Sequence, residues 1–583
     1  MTTAERLELW IDDPEHVSDQ QRGAVRADGN YFLLSRPGSG KTRIVGIRLA
    51  RLAAQQKPLR VAATSYTNVA IRQIQATVRE RGVVLDARHF TGTIHQFLLD
   101  YVVYPYGQLL GIRQPCNLIM DEAWPGWPPV IYKGDQSKRL PVGALHYTAT
   151  GAFVVHTRPT IGVSREDAAT TQIQQVRAKK QEARKRGLVS GSDAMYYAQK
   201  LLTDHPKICA AVAQRFDELI VDEAQDTSDV QLKCLELLHG SGKLRSLVLV
   251  GDLEQSIYSF QGARPPLCQA LVDHCGLAEL PLTENFRSSQ AICNVTCRFC
   301  GRTDPDEAVG QNKDCEIPPE IVIYDQGNLR SAVESFQGRL AHHEIAEGGA
   351  VVLARRRKFR DQINGIERVE GLHKFVISLG RLGASTREQR TIERDQLRTA
   401  ERLLADMAWG DDPILAETDR HLAVRRSLMT LMKELPDFDR TLADWIAQAR
   451  EKVKIVLAGL TDDPAHKPQH ALKSKAGFNA VQASDVFSTQ PTSLLARTVH
   501  DVKGESHEAV LLVVQPRHGQ SDQAELWSAP LLGEAVDESQ EEELRIAYVA
   551  LTRAERYCAV ALPNNVEVDR IDAYLAVGFI QAN

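Results

Sequence analysis

Residues 31–43 read YFLLSRPGSGKTR. A short apolar run passes into a turn of Ser35, Arg36, Pro37, Gly38, Ser39 and Gly40, then into Lys41 and Thr42 at the head of a helical pattern. Strand, glycine-rich turn and helix in that order form a phosphate cradle. The glycines let backbone N–H groups close on phosphate oxygens, and the helix N-terminus adds its partial positive charge. Lys41 is spaced to reach the β- and γ-phosphates, and Thr42 to place its hydroxyl on Mg²⁺. Ser35 stands where the general pattern has its first glycine.

Such a loop belongs at the carboxyl edge of a parallel α/β sheet. RVAATSY (60–66), DELIVDE (217–223) and SLVLVGD (246–252) read as strands buried on both faces and ending in polar residues, with helical patterns at 43–55 and 229–239. A second set follows from about residue 281: EIVIYD (320–325), GAVVLAR (349–355), EAVLLVV (508–514) and YCAVAL (557–562). Two segments interrupt these sets. Residues 104–195 carry a hairpin pattern at ALHYTATGAFVVH and then a polar helix; residues 366–489 are charged helical sequence without a buried strand. The expected plan is therefore a first core from 1–103 and 196–280 with an insertion at 104–195. A second core comes from 281–365 and 490–583, with a helical insertion at 366–489.

Bulk properties narrow the class. The 583 residues suit several domains, and 43% hydrophobic with 25% charged residues is ordinary for a globular chain. A net charge of −5 gives no global basic field, so a nucleic-acid site has to be a local groove. MTTAERLELWIDDPEH lacks the apolar core of a signal peptide, and no stretch reaches the ~20 apolar residues of a membrane span; the expectation is a cytoplasmic protein. Ten cysteines are scattered through the chain. Cys293, Cys297 and Cys300 fall on one helical face, with Cys315 beyond; this favours a packed core over a metal site.

A nucleotide hydrolase also needs an acidic strand end to hold the metal and orient water. LIMDEAW ends in Asp121 and Glu122, but PGWPP follows at once and the stretch lies inside an insertion. LIVDEAQDT sits in the strand–helix series. Asp222 is therefore the expected metal ligand and Glu223 the general base. In VGDLEQSIYSFQGA (250–263), Gln255 places an amide where a γ-phosphate is sensed, and Tyr258 and Phe260 follow directly. Aromatics beside such a sensor suit the coupling of hydrolysis to base stacking. The run RAKKQEARKR (177–186) holds six basic residues against one acidic, and reads equally as a stripe for duplex phosphates or a solvated helix face.

In their order along the chain, these motifs resemble superfamily 1A DNA helicases of the UvrD/Rep/PcrA type. The resemblance implies two RecA-like motor domains that use ATP and Mg²⁺ to move 3′ to 5′ on single-stranded DNA and to unwind tailed duplexes. VSDQQR is similar to the Q motif, with Gln21 reading adenine, and Arg43 joins Gly38, Ser39, Gly40, Lys41 and Thr42 at the nucleotide. TSYTNVAI and TGTIHQF are similar to motifs Ia and Ib, placing Tyr66, Thr93 and His95 on DNA with Tyr258 and Phe260. TENFRSS resembles motif IV, with Phe286 on adenine and Arg287 on the γ-phosphate. RTVHDVKGE resembles motif V, with Thr498 and His500 toward DNA. EELRIAYVALTRA resembles motif VI, with Arg553 as a second arginine finger. Departures are Phe260 for Trp, Gln261 for Arg, Val69 for Lys, and Glu505-Ser506 where the family has Leu-Glu. The compact chain also resembles the helicase subunit of Gabija anti-phage systems, implying as an alternative a DNA-sensing regulatory ATPase beside a separate nuclease.

Overall fold

The structure, a computed structural model, describes residues 1–119, 130–131, 139–140, 142, 145–155, 173–258, 264–365, 371–388, 392, 394–410, 418–487, 494–516, 523–537 and 540–582. Asp121, Glu122, Phe260 and Gln261 lie outside them.

Twelve strands build two six-stranded parallel sheets. The first contains β1 (Tyr31–Ser35), β2 (Val61–Ser65), β3 (Phe90–Thr93), β4 (Glu218–Asp222), β5 (Ser246–Gly251) and β6 (Ala278–Leu282), in spatial order β6-β1-β5-β4-β2-β3. The second contains β7 (Glu320–Tyr324), β8 (Ala350–Ala354), β9 (Ala496–Thr498), β10 (His507–Val513), β11 (Ala554–Pro563) and β12 (Ile580–Gln581), in order β9-β8-β10-β11-β7-β12. These are the two RecA-like cores.

Alternation along each strand divides the packing between the two sheet faces. In the first sheet Phe32, Leu219, Val221, Leu247 and Leu249 share one apolar cluster. Tyr31, Leu33, Ile220, Val248 and Val250 share the other, against α1 (Thr3–Asp12), α2 (Asp19–Arg26), α3 (Lys41–Ala54) and α4 (Asn68–Glu80). The second sheet does the same, with Leu353, Val510 and Leu512 opposite Val352, Leu511 and Val513. Each central strand is thus apolar on both faces, which is why these runs read continuously in the sequence. Pro281 is tolerated because β6 is an edge strand. That strand belongs to the first sheet and crosses residue 280, where the sequence places the core boundary.

The insertions are built differently. In the first, Leu145–Tyr147 pairs antiparallel with Phe153–Val155, the hairpin read from the sequence. In the helix Ile173–Lys185 the basic run divides. Lys180 is 1% exposed and donates to Asp193 Oδ1 at 2.6 Å, and Arg184 lies over the Tyr197 ring, while Lys185 and Arg186 stay exposed. In the second, helices Lys374–Arg387, Arg394–Trp409, Thr418–Glu434 and Leu442–Leu460 share their own core around Trp445. Cys293 and Cys297 are buried, and no group of three metal-ligating side chains occurs among the described residues. No described helix is long and apolar enough to cross a membrane.

Candidate active site

The carboxyl ends of β1, β4 and β5 meet the second core at a cleft of about 330 Å³. Gly38 and Gly40 have φ +76° each, backbone that glycine adopts without strain. At Gly38 space is short as well: a Cβ there would stand 2.3 Å from Asn285 Oδ1, while one on Gly40 would make a tight contact of 3.2 Å with Gln21 Nε2. Gln21 Nε2 donates to Ser39 O at 3.0 Å, while buried Gln21 Oε1 has no hydrogen-bond partner. Phe286 N donates to Gly38 O at 2.9 Å, so the start of the second core is stitched to the loop. Arg43 lines the cleft and donates to His16 O at 3.0 Å.

The acidic pair stands at the end of β4. Thr42 Oγ1 donates to Asp222 Oδ2 at 2.9 Å, and Asp222 Oδ1 is buried without a partner. Burial and the neighbouring Glu223 push the Asp222 carboxyl above the usual carboxylate range. A hydroxyl beside an orphaned, desolvated carboxylate suits a hard divalent cation, so Thr42 and Asp222 fit Mg²⁺.

Glu223 has φ +56°, a left-handed conformation costing a non-glycine residue about 1–3 kcal/mol and characteristic of functional sites. Its Oε1 lies 3.4 Å from Lys41 Nζ and its Oε2 accepts from Gln225 Nε2 at 2.5 Å. Burial opposes its charge, but Lys41 and Lys503 outweigh that and hold it below the usual carboxylate range. Gln225 is held in turn: Asp252 N donates to its Oε1 at 3.1 Å, and a Cβ on Gly251 would stand 2.5 Å from the same atom.

Groups from the second core complete the site. Arg553, 2% exposed, donates through Nη2 to Gln255 Oε1 at 2.9 Å, and Gln255 Nε2 donates to Asp252 Oδ2 at 2.6 Å. Arg287 Nη1 donates to Thr552 O at 2.8 Å; burial and Arg553 push the Arg287 guanidinium down to about 9. Lys503 Nζ reaches Asp226 Oδ2 at 2.5 Å and Gln255 O at 2.8 Å. The expected nucleotide residues therefore converge on one cleft. Sequence reasoning missed Lys503, Gln225 and Asp226, although DEAQD already showed a polar cluster at the end of a buried strand.

The expected DNA residues divide into two groups. Tyr66, Tyr258 and His500 form a ring series across the seam between the cores, with centroids 5.2 and 5.8 Å apart, and Lys503 Nζ lies 4.7 Å over Tyr258. Thr93 and Thr498 cap helical turns at the ends of β3 and β9: Thr93 Oγ1 accepts from Gln96 N at 3.1 Å, and Thr498 Oγ1 donates to Asp501 Oδ2 at 2.6 Å. His95 lies in the helix Ile94–Leu98 that Thr93 caps. Glu505 pairs with Arg497 at 2.7 Å. Val69, at the start of α4, is 60% exposed.

Residues 17–275 match the UvrD/REP helicase N-terminal domain. DNA helicase II of Escherichia coli is 28% identical over 304 residues, 48% of this chain and 40% of that protein. The ATP-dependent DNA helicase SRS2 of Saccharomyces cerevisiae is 26% identical over 326 residues, 50% of this chain and 27% of that protein. An ATP-dependent helicase/nuclease subunit of Natranaerobius thermophilus is 39% identical over 115 residues, 19% of this chain and 9% of that protein. The matched region thus spans two fifths or less of the curated relatives.

Proposed function

We propose that the chain is an ATP- and Mg²⁺-dependent DNA motor that moves 3′ to 5′ along single-stranded DNA and separates tailed duplexes. The observation that carries the reading is the cleft itself. The phosphate loop, Asp222 and Glu223 come from one core, while Arg287, Arg553 and Lys503 arrive from the other.

The geometry is compatible with the following roles. The loop N–H groups and Lys41 bind the phosphates, Gln21 and Phe286 hold the base, and Arg43 lines the same cleft. Thr42 and Asp222 would hold Mg²⁺, which would supply neutralisation of phosphate charge. Glu223 accepts the proton of the attacking water. Lys41 Nζ lies 3.4 Å from Glu223 Oε1, and drawing Lys41 onto phosphate would remove that positive neighbour. The basicity of Glu223 then rises where the water is bound. Arg287 and Arg553 stabilise charge developing on the phosphoryl group, a contribution worth about 10³–10⁵ in rate where it has been measured.

Hydrolysis is coupled to movement because both arginines belong to the second core. The seam that closes on phosphate carries Tyr66, Tyr258 and His500, with Phe260 near in sequence, as the surface for stacked bases. Thr93, His95 and Thr498 lie at the sheet ends where the backbone passes.

Similarity to helicase/nuclease subunits favours a second reading, a DNA-sensing ATPase whose output is a partner nuclease. Duplexes with a 3′ or a 5′ single-stranded tail separate the two. The motor reading expects ATP-dependent opening of the 3′-tailed substrate by the isolated chain. DNA-stimulated hydrolysis without opening of either substrate supports the sensor.

A further inference from the structure

A second charged cluster crosses between the cores beside the sensor segment. Arg36 of the phosphate loop and Glu254 belong to the first core; Arg302, Asp306 and Tyr548 belong to the second. One carboxylate oxygen stands between the two arginines: Glu254 Oε2 accepts from Arg36 Nη1 at 2.7 Å and lies 3.1 Å from Arg302 Nε, an ion pair without hydrogen-bond geometry. Arg302 also donates to Asp306 Oδ1 at 2.9 Å and to the Tyr548 hydroxyl at 3.0 Å, and Arg36 Nε stands 3.9 Å from Asp306. Arg36, Glu254, Arg302 and Asp306 are 20%, 26%, 16% and 7% exposed, so the charges are only weakly screened by solvent.

The cluster closes a ring through the reacting groups. Asp252 accepts from Glu254 N at 3.0 Å and from Gln255 Nε2 at 2.6 Å, so the placement of Glu254 is coupled to that of Gln255. Gln255 Oε1 accepts from Arg553, which follows α5 (Glu541–Leu551), and α5 carries Tyr548 back to Arg302. Arg36 ties this ring to the phosphate loop, where Arg36 O accepts from Ser39 N at 3.2 Å and Arg36 N donates to Leu282 O at 3.0 Å.

We propose that Arg36, acting with Glu254 and Arg302, is a positioning residue for ATP hydrolysis that fixes the sensor segment so that Gln255 meets Arg553 across the cleft. This rests on the ATPase reading above. Arg36 acts through Glu254, so its loss misplaces Gln255 and Arg553 while the loop and Lys41 still bind phosphate. The loss therefore falls on turnover rather than on nucleotide affinity.

The test is steady-state ATP hydrolysis by the full chain at saturating single-stranded DNA, for wild type, Arg36→Ala, Arg36→Lys, Glu254→Ala, Glu254→Gln and the double alanine variant. Wild-type hydrolysis comes first: an inactive wild type refutes the ATPase reading, and this proposal with it. Given an active wild type, Arg36→Ala should lose about 10- to 100-fold in kcat, the scale of a ~1 Å misplacement, with KM changed less than about threefold. Arg36→Lys should recover part of the loss. The double variant should be about as slow as the slower single one, because both changes break the same link. Unfolding midpoints show which variants fold; where an alanine variant does not, Arg36→Lys and Glu254→Gln carry the same comparison. A raised KM with intact kcat overturns the proposal and makes Arg36 a direct nucleotide contact. Unchanged kcat, or losses that multiply in the double variant, also overturn it.

Discussion

Removing the Lys503 amine, as in Lys503→Ala, perturbs a pair that the fold has sealed between its two cores. Lys503 Nζ lies 2.5 Å from Asp226 Oδ2, with the side chains 8% and 1% exposed, and Asp226 Oδ1 has no hydrogen-bond partner. Breaking a buried pair by deleting one member costs about 3–5 kcal/mol, because the other charge is left desolvated. Asp226 has an escape, which is to bind a proton. Burial pushes its carboxyl up to about 6, Lys503 opposing and Glu223 adding, and losing Lys503 raises it further. The sign follows from proton counting. The folded variant holds a proton that the unfolded chain has released above its ordinary pKa of ~3.9, so stability falls as pH rises from there and levels off only above the raised folded value. The deficit relative to wild type should be small near pH 5 and approach about 3 kcal/mol near pH 8. Chemical unfolding of the two proteins across that range measures it. Adding Asp226→Asn should restore most of the loss at pH 8, since no buried charge is then left alone. A deficit independent of pH, and not relieved by Asp226→Asn, would refute the reasoning.

Lys41→Ala should abolish ATP turnover because its amine serves phosphate, and should lower the unfolding midpoint only as far as the lost neighbour of Glu223 requires; wild-type turnover in that variant contradicts the site. Glu223→Gln should still bind ATP but lose about 10²–10⁴-fold in hydrolysis, the usual weight of a general base, as read by nucleotide binding beside phosphate release. The same substitution at Glu122 should leave hydrolysis near wild type, and a reversal of the two results means the wrong strand was chosen. Val69→Lys places a cation on an exposed position at the start of α4. It should tighten single-strand binding and steepen the salt dependence by about 0.7 in log–log slope, one added phosphate contact; an unchanged slope in fluorescence anisotropy sends the strand elsewhere.

The central strands were legible because burial on both faces leaves an uninterrupted apolar run, as in Leu247–Val250. The nucleotide loop was legible because its chemistry is local: five consecutive residues do the work. What stayed hidden is non-local. Lys503 and Asp226 are 277 residues apart, and nothing in KGES announces that its lysine is buried against DEAQD. Arg36 reads as loop filler until Glu254 and Arg302 are seen around it. Lys180 sits in a run of like charges, yet the hairpin that buries it is drawn from residues 145–155. Strand β3 (FTGT) gives no strand signal in the sequence, since its four residues are only partly buried and carry no apolar run.

In the proposed motor one ATP site is shared by two cores that also grip a single strand. Steady-state ATP hydrolysis by the chain, with and without single-stranded DNA and beside the Arg553→Ala variant, tests it most directly. DNA should raise the wild-type rate severalfold or more, and Arg553→Ala should bind ATP but lose about 10³-fold or more of that rate. Hydrolysis indifferent to DNA, or an Arg553→Ala variant as fast as wild type, would contradict it.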